Sequence, residues 1–279
     1  MSGTPVGRIT GAALLGGIVG NPVGHSLSPV IHNAWLEAGG IDGAYVAFAP
    51  KDAAGFEALV AAGRAGLIAG VNVTAPFKEQ AFALADEAAA AAQMTGSANI
   101  LVFEDGRVRA DSADGAGVLY ALAEQAPKLK LNGASVVMLG AGGAARAGAG
   151  ALIEAGAALS ILNRTRERAE ALATDLGPAV SVAPDASVLE GADLVINALS
   201  VAPDISLAAL KPSAVVMDMT YKPVVTPLLA AARARGLTTV DGLAMLIGQA
   251  APSFEAIFRR PPPPLDLRAL LLSHLGEAA

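Results

Sequence analysis

A threonine and a lysine, Thr74 and Lys78, stand four residues apart in Gly70-Val71-Asn72-Val73-Thr74-Ala75-Pro76-Phe77-Lys78. Valines around Asn72 read as the end of a strand. Pro76 suits the first position of a helix, where its missing N–H would have no partner anyway. The pair therefore falls at a strand-to-helix junction, where α/β enzymes place their chemistry. A lysine in a first helical turn opposes the helix dipole. It is explained if the ammonium is wanted as a proton carrier, and equally if it is a solvated surface lysine starting a helix.

Two further segments carry polar groups at strand ends. Gly20-Asn21-Pro22-Val23-Gly24-His25-Ser26-Leu27-Ser28-Pro29 is a loop running into a helix. The hydroxyls of Ser26 and Ser28, with nearby backbone N–H groups, suit a carboxylate. Ser28 before Pro29 also reads as an N-cap, and His25 reads as a loop filler rather than a catalyst. The third segment supplies Asn99, from Ser97-Ala98-Asn99, and Asp114, from Asp111-Ser112-Ala113-Asp114-Gly115. Alone, Asp114 is an N-cap; with Lys78 it makes an acid–base pair in which the carboxylate modulates the lysine's proton affinity.

A cofactor motif lies further on. Val136-Val137-Met138-Leu139-Gly140-Ala141-Gly142-Gly143-Ala144-Ala145-Arg146 places a Gly-rich turn between a strand and a helix. Gly140 permits the turn, Gly142 lets the backbone approach a pyrophosphate, and Ala145 lets helix and strand pack closely. The phosphates then sit at the helix N-terminus, on Gly143 and Ala144. The next strand ends in Asn163-Arg164-Thr165, with Arg168 one turn on and no carboxylate before Glu167. Guanidinium forks match a phosphate, so the pattern selects NADP(H) over NAD.

These residues need an α/β scaffold, and the chain reads as one. Its 279 residues suffice for two domains. Strands are expected at residues 13–19, 44–48 and 67–73, alternating with helices at 29–38, 56–62 and 76–84. A hairpin is expected across 98–103 and 108–111 around the polar turn Glu104-Asp105-Gly106-Arg107. A helix from Asp114 to about Gln125 and a linker at 127–132 lead to a second βαβ series. There strands are expected at 135–139, 158–162, 194–198 and 214–217, with helices to Glu154 and over 167–176. Their continuous apolar runs suit a parallel sheet covered on both faces. A long helix over 241–258, a four-proline spacer at 261–264 and a short helix over 265–275 close the chain.

Composition narrows the partners. Hydrophobic residues make up 53% and aromatics only 4%, so the core is aliphatic. A net charge of −6 without a basic tract argues against nucleic acid. The absence of cysteine rules out disulfides and thiolate chemistry and agrees with a reducing, cytoplasmic setting. The apolar run over residues 9–20 flows into a Gly-Asn-Pro turn and reads as a buried strand rather than a signal peptide. No apolar stretch has the length of a membrane span. The three histidines are not spaced as metal ligands.

Together these motifs resemble the shikimate dehydrogenase family, whose members reduce 3-dehydroshikimate with NADPH. The resemblance runs from the Gly-Asn-Pro loop to the helix ending near Phe258. It implies that Ser26 and Ser28 hold the substrate carboxylate, that Lys78 is the catalytic lysine with Asp114 as its pair, and that Thr74 and Asn99 contact the substrate. It further implies two late substrate contacts, Tyr221 after Asp218-Met219-Thr220 and Gln249, and places Met245, four residues before Gln249, at the cofactor. The chain departs from the family pattern at Ser112-Ala113, where Asn-Thr is usual, and at Ile100 and Leu199, where Thr is usual.

The expected architecture is two α/β domains. Residues 1–115, completed by helices of 241–279, form a substrate and catalytic domain with a mostly parallel sheet. Residues 116–240 form a Rossmann-type NADP-binding domain, with the cleft closing to exclude water. The expected activity is NADP-dependent reduction of 3-dehydroshikimate to shikimate in chorismate and aromatic amino acid biosynthesis. The expected assembly is a monomer or homodimer. The alternatives are a paralogue acting on quinate or aminoshikimate, prompted by Ser112, Ala113 and Ile100, and a catalytically silent NADP-binding regulator.

Overall fold

The computed structural model describes residues 9–199 and 201–277. In chain order the elements begin with β1 (Leu14–Val19), α1 (Ser28–Ala38), β2 (Gly43–Phe48), α2 (Ala53–Arg64) and β3 (Gly70–Val73). Next come α3 (Lys78–Ala83), β4 (Glu87–Ala88), α4 (Ala90–Thr95), β5 (Ile100–Glu104), β6 (Arg107–Asp111) and α5 (Asp114–Gln125). They continue with β7 (Ser135–Leu139), α6 (Gly143–Glu154), β8 (Ala158–Leu162), α7 (Arg166–Leu176), β9 (Val180–Val182), β10 (Leu194–Asn197) and β11 (Val215–Asp218). Last are α8 (Pro227–Ala234), β12 (Thr238–Val240), α9 (Gly242–Phe258) and α10 (Leu267–Leu275). The chain divides into two compact units, one of Met1–Ala113 with Ala250–Ala279, the other of Asp114–Gln249.

The first unit is built on a sheet in the order β2-β1-β3-β5-β6-β4. β1 pairs in parallel with β2 and β3, which is why its last residues form an unbroken buried run. β5 and β6 enter antiparallel as a hairpin whose turn residues Asp105 and Gly106 have φ of 50° and 75°. Those are the values a two-residue hairpin turn of matching twist requires. One face of the sheet is packed by Phe56, Val60, Phe77 and Ala81 from α2, α3 and the turn before α3. Asp52 starts α2, its side chain accepting from the Gly55 N–H at 2.8 Å. An aromatic cluster from α1 and the end of α9 also lies in this unit, with Trp35 set edge-on to Phe254 at 5.2 Å.

His32 is fully buried in that cluster and stacks flat on Tyr45, centroids 4.1 Å apart and planes 9° apart. Neither ring nitrogen has a hydrogen-bond partner among the described residues. Burial lowers its pKa from 6.5 to about 3, so the folded chain holds it neutral. The unfolded chain binds a proton that the folded one refuses, so this group's contribution to stability is intact above pH 6.5 and falls as pH drops toward 3. The loss is about 1.4 kcal/mol per pH unit across that window. His32→Phe is expected to flatten the acid limb of stability against pH by that slope. Urea unfolding of both forms at a series of acidic pH values reads the difference; parallel curves would contradict it.

The second unit is a sheet of parallel strands in the order β12-β11-β10-β7-β8-β9. From β7 the chain moves outward through β8 to β9, then returns beside β7 with β10 and moves outward through β11 to β12. This is the doubly wound dinucleotide-binding order, and it reverses between β7 and β10. All residues of β10 and β11 are buried, as sheets covered on both faces require. Val118, Leu152 and Leu172, from α5, α6 and α7, pack one core. Leu207, Leu228 and Leu229 pack the other. α5 approaches α9 so closely that a Cβ at Gly117 would stand 2.7 Å from the Met245 carbonyl oxygen, which is why a glycine is needed there. Asp241 starts α9, its carboxylate accepting from the Ala244 N–H at 3.0 Å. Gln125 then clamps Asp241 through both its amide oxygen and nitrogen.

One expected element is corrected. Pro76 does not open a helix. Phe77 donates its N–H to the Thr74 carbonyl at 3.1 Å, closing residues 74–77 into a tight turn, and α3 starts at Lys78. The prolines at 261–264 lie between α9 and α10, as their spacer reading expects.

Candidate active site

In the first unit, parallel pairing brings the ends of β1 and β3 side by side, with Val19 opposite Val73. The loops leaving those ends are joined: the Thr74 N–H donates to the Val19 carbonyl at 2.9 Å, and the Asn21 N–H to the Ala75 carbonyl at 3.1 Å. β5 runs antiparallel to β3, so Asn99, just before β5, arrives at the same edge. The structure thus gathers the loops of Ser26, Ser28, Thr74, Lys78 and Asn99 at one end of one sheet.

Each has a local reason for its place. The Ser26 Oγ accepts from the Ser28 N–H at 3.2 Å, ordering the turn ahead of α1. Ser28 is not the N-cap: it is the first residue of α1, buried, and the cap position is Leu27. His25 is exposed. Lys78 is half-buried in the first turn of α3, and its carbonyl accepts from the Ala98 N–H at 2.9 Å. The neighbouring Phe77 stacks on Phe56 at 4.9 Å, which fixes the root of that helix. The side-chain oxygen of Asn99 accepts from the Ala113 N–H at 2.8 Å. Ile100 and Ala113 are buried apolar residues, and the Ser112 hydroxyl is buried with no hydrogen-bond partner among the described residues.

Asn72 carries more than its place in the motif suggested. All four residues of β3 are buried, so its amide must find partners inside. It accepts from the Tyr45 hydroxyl at 2.7 Å and donates to the Asn99 carbonyl at 3.1 Å and the Ser253 Oγ at 2.8 Å. The readable signal was a lone amide between two valines of a strand buried on both faces.

The second unit holds the remaining residues. Gly140 ends the β7 turn at φ of 109°, and a Cβ there would stand 3.0 Å from the Leu199 side chain and 3.5 Å from the Ala198 backbone. Only glycine fits both the conformation and the space. Gly142 is the N-cap of α6 and no side chain caps that helix, so the first N–H groups, those of Gly143 and Ala144, have no side-chain cap. After β8, the Asn163 side chain donates to the Thr165 carbonyl at 2.7 Å, and Thr165 is the N-cap of α7. Arg164 and Arg168 are exposed here. Arg146 and Arg166 pair with Asp175 and Glu170, whereas Arg164 and Arg168 make no ion pair among the described residues. An open glycine turn, an uncapped helix start and two uncommitted guanidiniums fit a phosphorylated dinucleotide.

Tyr221 follows β11 in a loop fixed by buried Asp218. That carboxylate accepts from the Asn197 amide at 3.0 Å, the Thr220 N–H at 3.0 Å and the Thr226 hydroxyl at 2.7 Å. Met245 and Gln249 are buried on α9, and the Gln249 amide donates to the Leu246 carbonyl at 2.9 Å. Asp114 is the first residue of α5, only 8% exposed.

Residues 18–101 match the model of the shikimate dehydrogenase substrate binding domain, and residues 121–229 that of shikimate / quinate 5-dehydrogenase. An NADP(+) shikimate dehydrogenase of Caulobacter vibrioides is 50% identical, aligned over 96% of this chain and 98% of its own. The chain belongs to the shikimate dehydrogenase family. Among solved relatives, the Thermus thermophilus shikimate 5-dehydrogenase in complex with NADP(H) and shikimate superposes with a TM-score of 0.81 at 35% identity, covering 90% of this chain and 95% of that one. The quinate dehydrogenase of Corynebacterium glutamicum in complex with NAD superposes with a TM-score of 0.85 at 29% identity, covering 94% and 99%. The two-domain α/β architecture with a Rossmann-type cofactor domain is that of the shikimate dehydrogenases. Among the described residues no helix is long and apolar enough to cross a membrane, and no group of three or more His, Cys, Asp or Glu could hold a metal ion.

Proposed function

We propose that the chain interconverts 3-dehydroshikimate and shikimate. It is an NADP-dependent oxidoreductase of the shikimate dehydrogenase type, in the pathway to chorismate and the aromatic amino acids. The carrying observation is the gathering of two serines, a threonine, a lysine and an asparagine at one sheet edge, in a chain 50% identical to an NADP(+) shikimate dehydrogenase.

NADPH, when bound, would supply the hydride for the substrate carbonyl carbon. Lys78 gives a proton to the oxygen as negative charge develops there, and takes it back in oxidation; its ammonium also stabilises that charge. Asp114 is assigned the carboxylate of the same proton transfer. Ser26 and Ser28 take the substrate carboxylate, and Thr74, Asn99, Tyr221 and Gln249 take the rest of the ring acid. Gly140, Gly142, Gly143 and Ala144 receive the pyrophosphate. Asn163, Arg164, Thr165 and Arg168 receive the 2′-phosphate, and Met245 the nicotinamide. We place the enzyme in the cytoplasm as a monomer or homodimer, since a chain without cysteine draws nothing from an oxidising compartment.

Ser26→Ala is expected to raise the KM for shikimate roughly tenfold, the worth of one hydrogen bond to a charged group, with kcat and the KM for NADP+ little changed. Steady-state kinetics would contradict the carboxylate role if kcat fell while KM stayed. Ser112, Ala113 and Ile100 beside Asn99 favour a second reading, oxidation of quinate. Initial rates on shikimate and quinate, each with NADP+ and NAD+, separate the two; a higher kcat/KM on quinate would replace the first reading by the second.

A further inference from the structure

We propose that Tyr45 is a positioning residue of the substrate site, fixing the Asn72 amide in the strand that feeds Thr74 and Lys78 and, through it, the backbone at Asn99. The inference rests on the reading of Thr74 and Asn99 as substrate contacts.

Every part of Tyr45 is held. It lies on β2 with 1% exposure. Its backbone is clamped by the Asn33 side chain, which donates to the Tyr45 carbonyl at 2.8 Å and accepts from its N–H at 3.0 Å. Its ring lies flat on His32, centroids 4.1 Å apart. Both His32 nitrogens are buried without partners among the described residues, so this imidazole acts as a neutral aromatic plate rather than a base. The Tyr45 hydroxyl donates to the Asn72 side-chain oxygen at 2.7 Å. Burial pushes the phenol's pKa upward, and the nearby Ser28 side chain partly offsets that push.

The result is one buried polar chain. It runs from the Tyr45 hydroxyl to Asn72 and branches there to the Asn99 carbonyl and the Ser253 hydroxyl. Asn99 is an assigned substrate contact, Thr74 follows Asn72 by two residues, and Ser253 follows Gln249 on α9 by one helical turn. A core serving stability alone is filled well by Phe, Val and Ala at such places. A fully satisfied buried network instead fixes rotamers. An amide can flip; the phenol, donating to the Asn72 oxygen, fixes which way this one points. Tyr45 touches neither the substrate nor the cofactor in this account. It holds the amide that anchors the backbone of a residue that does.

Tyr45→Phe keeps the stack on His32 and removes only the hydroxyl. The expected result is a roughly tenfold rise in the KM for shikimate, the loss of one to two net hydrogen bonds' worth of orientation. The KM for NADP+ should be unchanged and kcat should move less than about threefold. Ser253→Ala, which withdraws one partner of Asn72, should move the shikimate KM in the same direction by a smaller factor, and it decides the matter if Tyr45→Phe does not fold. A shikimate KM equal to wild type in the folded variants, with only a lowered melting temperature, would make Tyr45 a structural residue and overturn the inference. Equal rises for shikimate and NADP+ would do the same. A wild-type chain that turns over no shikimate removes the substrate-contact reading itself, and the inference with it; that outcome is distinct, because it is seen before any variant is made.

Discussion

Lys78→Met is expected to lower kcat for shikimate oxidation roughly a thousandfold, within the range that a positioned proton carrier contributes. Methionine keeps the length of the side chain and its apolar stem. The root of the helix is held by groups the substitution does not touch: Phe77 against Phe56 and the Lys78 carbonyl against the Ala98 N–H. Folding should survive, and so should NADPH binding, since the Gly140 turn and the arginines after β8 belong to the other unit. Lys78→Arg separates proton transfer from charge. A guanidinium keeps the positive charge but does not release its proton at working pH, so this variant should keep at most the electrostatic part of the effect and stay far slower than wild type. An active arginine variant would assign Lys78 an electrostatic role, and a methionine variant within a few-fold of wild type would remove it from the reaction.

Arg164→Ala combined with Arg168→Ala is expected to lower kcat/KM with NADP+ about a hundredfold or more while leaving NAD+ little changed. Hydrogen bonds to charged groups contribute about 1.5–3 kcal/mol each, and two are withdrawn. The structure offers no other task for these side chains, because both are exposed and neither makes an ion pair among the described residues. Arg166 and Arg146, by contrast, are engaged by Glu170 and Asp175 at 2.7 Å each. Replacing either of those should leave the ratio of NADP+ to NAD+ rates in place. Equal losses with both dinucleotides in the double variant would refute the 2′-phosphate assignment.

Much of the fold could be read from the chain because a parallel sheet writes itself in continuous apolar runs. β7 and β8 fall at 135–139 and 158–162, as read, and α5 starts at Asp114 and ends at Gln125, as read. The hairpin was legible from Asp105-Gly106, whose backbone conformation few other pairs adopt. What the sequence hid had no period to show. β4 is two residues long and α4 lies in a run of alanines that buries little. β9 is partly exposed and three residues long. α8 was passed over although Thr226-Pro227 marks its start: the Thr226 hydroxyl accepts from the Leu229 N–H at 3.3 Å.

The site was legible unevenly for a similar reason. Loop residues at strand ends stand out when they are polar, which exposed Ser26, Ser28, Thr74, Lys78, Asn99 and the Gly140 turn. Tyr221 and Gln249 carried no such mark and rested on the family resemblance. Tyr45 was invisible, since an aromatic in a strand reads as core. Its hydroxyl gains meaning only once β2 and β3 bring it to Asn72. Pro76 misled because prolines favour both the first helical turn and tight turns. The Thr74–Phe77 hydrogen bond that decides between them is a backbone contact with no side-chain signature.

The most direct test of the account is the initial rate at which the wild-type chain forms NADPH from NADP+ in the presence of shikimate, measured against the same reaction with NAD+. The account predicts robust NADPH formation and a kcat/KM about a hundredfold or more above that for NAD+, the margin two guanidinium–phosphate contacts provide. No reduction of NADP+ by shikimate, or equal rates with the two dinucleotides, would contradict it.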